Sequence, residues 1–230
     1  EYYAALLSAN MDDKDKLAIY MEDCKRLGVT VLPPDVNSSG VEFQVEEGKI
    51  RFGLGAVKGC GRAIIETMVR TRADAGQFAD LLDFCERVQE KAAMNKSTVE
   101  CLIKVGTFHS IEPNRAKLLE MLPDAMSAAA AQLRDRKNGQ AGLFGDDTGI
   151  ASFSIDMGRY SHVADFKCQE VYAMEKDLVG LYLSGHPLEN LRKSLDRQCS
   201  ANASNYRDLA NDEMCTIGGI ITEIRERITR

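Results

Sequence analysis

The clearest indication of the fold is the segment Val57-Lys58-Gly59-Cys60-Gly61, which lies between segments of helical periodicity. Two glycines, two positions apart, let the backbone turn tightly and leave amide groups exposed where the next helix begins. Such a turn can hold a phosphate oxygen through backbone N–H groups and the positive end of the helix dipole. This is the pattern of a helix-hairpin-helix, which binds the DNA backbone irrespective of sequence. A plain turn between two helices fits these residues equally well.

We call residues 57–61 the first hairpin and residues 102–108, which repeat its layout, the second hairpin. In the second hairpin Thr107 replaces the second glycine. A purely structural turn is therefore at least as consistent with the second hairpin as a phosphate site. The candidate DNA-binding residues of the two hairpins are Lys58, Gly59, Cys60, Gly61, Arg62, Lys104 and Gly106.

The segments around the two hairpins predict a mainly α-helical fold with one small β-hairpin. Apolar and polar residues alternate at 41–45 and again at 50–52, on either side of a turn, which predicts the β-hairpin over 41–52. Apolar residues elsewhere recur at helical spacing, and Pro123 is expected to end or kink the helix that it follows. The predicted helices are 1–11, 14–27, 61–72, 77–89, 95–104, 114–122 and 170–177.

Composition excludes several classes of protein. The chain has 230 residues, of which 44% are hydrophobic and 28% charged, and these values exclude wholesale disorder. Its apolar runs are too short for a membrane span. Seven cysteines without CxxC spacing and three scattered histidines indicate reduced thiols and no metal site. We expect Asp13 and Asp15 to stabilise a helix N-terminus rather than to bind a metal.

The net charge of −6 is unevenly distributed. Residues 49–115 carry 11 basic and 8 acidic side chains, whereas residues 1–48 carry 4 basic and 10 acidic ones. The middle of the chain, which contains both hairpins, is thus the part biased toward an anion such as DNA. The bias is mild.

The segment 127–165 is rich in alanine, glycine and charge, which predicts a linker or a mobile loop. It contains Gln140-Ala141-Gly142-Leu143-Phe144. An exposed Leu-Phe pair is unfavourable unless something covers it, and such pairs often enter a pocket of a partner protein. The alternative is that Leu143 and Phe144 fold back on their own domain.

Several segments together resemble the C family of bacterial replicative DNA polymerases. The most characteristic are Val31-Leu32-Pro33-Pro34-Asp35-Val36-Asn37 and Gly180-Leu181-Tyr182-Leu183-Ser184-Gly185-His186-Pro187-Leu188. The other matching segments are 1–11, 26–29, 50–54, 56–58, 84–85, 95–96, 102–104 and 175–176. These segments occur in the order of the family and extend over nearly the whole chain.

The resemblance implies three parts: the C-terminal end of the fingers domain at 1–40, a tandem helix-hairpin-helix and clamp-binding domain at 41–205, and the first strand of a truncated OB-fold domain at 213–230. It also implies that Gln140, Leu143 and Phe144 bind the sliding clamp, and that the first hairpin contacts template–primer duplex. The family's catalytic carboxylates lie upstream, so we expect no catalytic residue and no cofactor here. Mg²⁺ is expected for the whole polymerase.

The sequence thus predicts a non-catalytic fragment of a replicative DNA polymerase in the bacterial cytoplasm. Its expected partners are double-stranded DNA, the sliding clamp (the beta subunit) and other replisome subunits, and no membrane. The alternative is a helix-hairpin-helix module of a repair protein that binds DNA but no clamp. A purely structural spacer would bind neither.

Overall fold

The computed structural model of this protein describes residues 1–137, 157–202, 205–221, 224 and 226. These residues form two compact units, Glu1–Ser184 and Gly185–Arg230. The helices and strands of the first unit are α1 (Tyr2–Ala9), α2 (Lys14–Arg26), β1 (Val31–Leu32), β2 (Gln44–Glu46), β3 (Lys49–Arg51), α3 (Arg62–Ala75), α4 (Leu81–Lys91), α5 (Lys96–Lys104), α6 (Arg115–Lys137) and α7 (Cys168–Val179). The second unit contains α8 (Arg192–Gln198). The prediction of a mainly helical fold is confirmed.

The small sheet has the strand order β1-β3-β2. Strands β2 and β3 form the predicted antiparallel hairpin, in which Val45 pairs with Ile50. Strand β1 adds to β3 in parallel, with Val31 beside Ile50. The Glu46 carboxylate joins the two hairpin strands through Arg51, at 2.7 Å between Oε2 and Nε.

The core of the first unit includes buried residues from helices α1 to α7 and from the sheet. Three phenylalanines stack edge to face through it, since the ring centroids of Phe78 and Phe84 are 5.2 Å apart and those of Phe84 and Phe108 are 5.0 Å apart. Phe108 belongs to the second hairpin and is fully buried. The second hairpin is therefore part of the core.

Pro123 was predicted to end or kink the helix 114–122, and the end at residue 122 is wrong, because helix α6 runs through Pro123 to Lys137. Proline removes one backbone hydrogen bond and costs about 3 kcal/mol inside a helix. Burial of Met121, Leu122, Ala125 and Ala129 on both sides of the proline, in the packing with α4, offsets this cost. The beginning of the segment predicted as a mobile loop, 127–165, is thus helical.

The tail does not show the predicted β-strand in its described part, 205–221 with 224 and 226. Its alternating residues Ile217 and Ile221 are 69% and 77% exposed. The amides of Ser200 and Ala201 both donate to the carbonyl of Thr216, without forming a ladder. A strand needs neighbours on which to pair. The domain boundaries implied by the resemblance stay predictions.

Candidate nucleic-acid interface

The first hairpin links a short 3₁₀ turn, Leu54–Ala56, to α3. Gly59 has φ +84°, a left-handed conformation that favours glycine, and a Cβ there would lie 3.1 Å from the sulfur of Cys101. The carbonyl of Gly59 accepts a hydrogen bond from the Thr98 hydroxyl at 3.4 Å. Helix α5 therefore supports the turn from below.

The backbone amides at the start of α3 are available to a ligand. Gly61 is the N-cap residue, and its carbonyl accepts from the amides of Ile64 and Ile65. Within the part of the chain that the structure describes, the amides of Gly61, Arg62 and Ala63 have no hydrogen-bond acceptor, and all three residues are exposed. The positive end of the helix dipole lies at the same place.

The cation of the first hairpin, Lys58, differs from the neighbouring cation at the start of α3, Arg62. Lys58 is exposed, and its side chain has no acidic partner among the described residues. The Arg62 guanidinium lies between Glu66, at 2.8 Å, and Glu42, at 3.7 Å. These two carboxylates, Glu66 first, raise the pKa of Arg62. Lys58 is thus the freer of the two positive charges.

The side chain of Cys60 points away from this surface. Its sulfur is buried and lies 3.8 Å from the carbonyl of Thr98. Burial raises the pKa of the Cys60 thiol to about 12, so the sulfur stays neutral. Only the backbone of Cys60 can belong to an interface.

The second hairpin presents no comparable surface. Gly106 is buried, its amide donates to the carbonyl of Ile103 at 2.9 Å, and the amide of Thr107 donates to Leu102 at 3.0 Å. Gly106 has φ +81°, and a Cβ there would lie 2.6 Å from Nη2 of Arg115. The prediction that Gly106 meets DNA is therefore not supported: its amide is already bonded, and its missing side chain makes room for Arg115. Lys104 is half-buried at the end of α5.

Sequence reasoning missed the polar cluster beside the second hairpin. The buried Glu175 of α7 pairs with Arg115 at 2.9 Å. Arg115 also donates to the carbonyl of Lys104 at 2.7 Å and to the Ser184 hydroxyl at 2.9 Å. Glu175 and Ser184 both fall within segments that carried the family resemblance, which was the available sign of their importance.

The predicted clamp-binding residues Gln140, Leu143 and Phe144 lie outside the described residues. The described ranges contain no cluster of three or more histidine, cysteine, aspartate or glutamate side chains that could hold a metal ion. Asp13 accepts a hydrogen bond from the amide of Lys16 and so caps α2, as predicted. None of the helices in the described ranges has the length and apolarity that a membrane crossing requires.

Comparison with known proteins agrees with this geometry. A family model described as a helix-hairpin-helix motif matches residues 28–118, which include both hairpins. The DNA polymerase III subunit alpha of Mycobacterium tuberculosis (strain H37Rv) is 37% identical over 239 aligned residues, which cover 100% of this chain and 20% of the relative. That of Vibrio cholerae is 34% identical with the same coverage, and that of Caulobacter vibrioides is 37% identical over 86% of this chain and 17% of the relative. The chain belongs to the family of the DNA polymerase III alpha subunits, of whose length it spans about a fifth.

Proposed function

We propose that this chain contributes duplex DNA binding and sliding-clamp binding to a replicative DNA polymerase. The observation that carries the first part is the group of exposed amides at the start of α3, which have no acceptor among the described residues, beside the exposed Lys58 side chain. The match to a helix-hairpin-helix family model over the same residues supports it.

The chemistry of the first hairpin favours phosphate oxygens over base edges. Backbone amides and a lysine donate to any phosphate, and such contacts position a protein on DNA without reading its sequence. A polymerase that moves along its template needs a contact of this kind. We therefore propose the duplex backbone as the ligand, with Lys58, Gly59, Gly61 and Arg62 as the contacting residues.

The second hairpin has a different role in this proposal. With Gly106 buried against Arg115, it stabilises the unit from within. In this proposal Lys104 adds positive charge near the DNA but makes no phosphate contact. The tandem arrangement then has one DNA-contacting hairpin and one supporting hairpin.

The clamp-binding part of the proposal rests on sequence. Gln140, Leu143 and Phe144 have the type and spacing of the family's clamp-binding peptide. Two apolar anchors entering a pocket can dominate the free energy of such a contact. When the DNA contact forms at the same time, even a weak peptide contact becomes effective, because the second binding event is intramolecular.

Catalysis is proposed for the whole protein and not for these residues. The relatives are named as DNA polymerase III alpha subunits, and this chain spans about a fifth of their length. The chemistry of the whole protein would be metal-assisted nucleotidyl transfer with Mg²⁺. In this proposal the residues of this chain hold the DNA and the clamp while that reaction proceeds, in the bacterial cytoplasm.

The DNA part is tested by titrating the chain onto two fluorescent duplexes of unrelated sequence over a range of salt concentrations. We expect equal affinities for the two duplexes and a slope of log affinity against log salt of roughly −3, for three or four phosphate contacts. A slope near zero, or a preference for one sequence, would contradict backbone binding.

The clamp part is tested by titration onto the cognate clamp. We expect the Leu143→Ala/Phe144→Ala variant to lose more than roughly tenfold in affinity. A matched Ile150→Ala/Phe153→Ala variant alters two apolar residues outside the peptide and should bind like the unaltered chain. Equal binding by all three proteins would mean that the clamp contact lies elsewhere in the chain, and no binding by any of them would favour the repair-module alternative.

A further inference from the structure

The last turn of α7 touches both hairpins. The carbonyl of Leu178 accepts a hydrogen bond from the amide of Lys58, in the first hairpin, at 2.9 Å. The carboxylate of Glu175 pairs with Arg115, which packs against Gly106 of the second hairpin. The carbonyl of Asp177 accepts from the Lys14 ammonium at 2.9 Å. One helical turn thus joins three parts of the chain that are distant in sequence.

Glu175 fixes that turn in place. Its Oε1 accepts from Nη2 of Arg115 at 2.9 Å and from the Ser184 hydroxyl. Its Oε2 accepts from the amides of Leu183 and Ser184, at 2.8 and 3.0 Å. The carboxylate is fully buried, and a buried charge is tolerated only with partners of this kind. Any displacement of the turn would break several of these bonds together.

Arg115 links Glu175 to the second hairpin. Its Nη1 donates to the carbonyl of Lys104, at the end of α5, at 2.7 Å. The absence of a side chain at Gly106 lets the guanidinium approach this closely. The second hairpin therefore fixes the position of α7, and α7 in turn fixes the position of the Lys58 amide.

We propose that Glu175 is a positioning residue for DNA binding: through α7 it holds the first hairpin in the conformation that meets the DNA backbone, without touching DNA. This inference rests on the proposed DNA contact of the first hairpin. Glu175 and Leu178 lie three residues apart on one turn, so loss of the carboxylate releases the carbonyl that orients Lys58. The amides of Gly61 and Arg62 would then lose their common orientation.

The test is the Glu175→Gln variant beside Asp177→Asn, a matched control that removes one negative charge from an exposed position on the same turn. Glutamine keeps the shape of the side chain, but its NH₂ group faces donors. We expect hydrogen exchange at the Lys58 amide to quicken and duplex affinity to fall by at least roughly fivefold in Glu175→Gln. Asp177→Asn should change neither. If Glu175 only stabilised the fold, Glu175→Gln would not quicken exchange selectively at the Lys58 amide while leaving the circular dichroism spectrum unchanged.

Each outcome is decisive. If the unaltered chain binds duplex and folded Glu175→Gln binds equally well, the inference is overturned while the proposed function stands. If the unaltered chain does not bind duplex, both fail. If Glu175→Gln does not fold, amide hydrogen exchange in the unaltered chain tests the inference instead. The amide of Gly180 donates to the carbonyl of Lys176 in α7. Equal opening free energies for the amides of Lys58 and Gly180 support the coupling of the first hairpin to α7, and independent opening refutes it.

Discussion

The two hairpins have similar sequences and opposite environments. In the first, Gly61 is exposed and an added Cβ would meet nothing within 4 Å. In the second, Gly106 is buried and an added Cβ would lie 2.6 Å from the Arg115 guanidinium. A glycine can thus serve either the approach of a ligand or the approach of the protein's own side chain. The two cases differ in whether the glycine is buried and in whether its amide already donates a hydrogen bond. The spacing of the glycines does not distinguish them.

The largest effect that separates the hairpins is expected for Arg115→Ala. It leaves the buried Glu175 carboxylate without its cation, and breaking a buried pair in this way costs about 3–5 kcal/mol. Urea unfolding should show a lower midpoint with an unchanged slope. Arg62→Ala is the control from the first hairpin, where the ion pairs are exposed and contribute little. Equal losses for both variants would contradict the supporting role of the second hairpin.

A smaller effect of the same kind is expected for Gly106→Ala. A side chain at φ +81° is strained by about 1–2 kcal/mol, and the methyl group also displaces Arg115, so we expect a loss of at least about 2 kcal/mol. Gly61→Ala, at φ −62°, should cost less than about 1 kcal/mol. The same urea titration measures both. Equal losses of stability in the two variants would contradict the packing of Arg115 against Gly106.

The smallest effect concerns thiol reactivity. It tests whether the first hairpin exposes its backbone while it buries the side chain of Cys60. With a pKa of about 12, Cys60 holds roughly one thiolate in ten thousand at pH 8, and the thiolate is the reactive form. Iodoacetamide should therefore modify the exposed Cys168 long before Cys60, as mass spectrometry of peptides can measure. Modification of both at one rate would show that the Cys60 side chain faces solvent.

Much of the fold could be predicted because its elements carry local signals. Apolar spacing marked α2 and α5, Asp13 marked the start of α2, and alternation marked the β-hairpin. The continuation of α6 past Pro123 could not be predicted, because it depends on packing against α4. The parallel addition of β1 to β3 is likewise a tertiary contact.

The turn of the first hairpin could be predicted from the sequence, and the surroundings of the second hairpin could not. At Gly59 and Gly61 the glycine spacing sufficed to predict a tight turn before α3, although α5 and α7 also hold that turn. At Gly106 the deciding partner is Arg115, which is itself held by Glu175, sixty positions further on. Contacts at such separation leave no local pattern. The family resemblance marked Glu175 without giving its role.

The most direct test of the account compares Lys58→Ala with Lys104→Ala in duplex binding over a range of salt concentrations. Both variants remove one positive charge, one from each hairpin. We expect Lys58→Ala to weaken binding to all duplexes and to make the salt slope shallower by about 1, the value for one lost phosphate contact. Lys104→Ala should keep the slope of the unaltered chain. Equal changes in both variants, or a change in Lys104→Ala alone, would contradict the assignment of the DNA contact to the first hairpin.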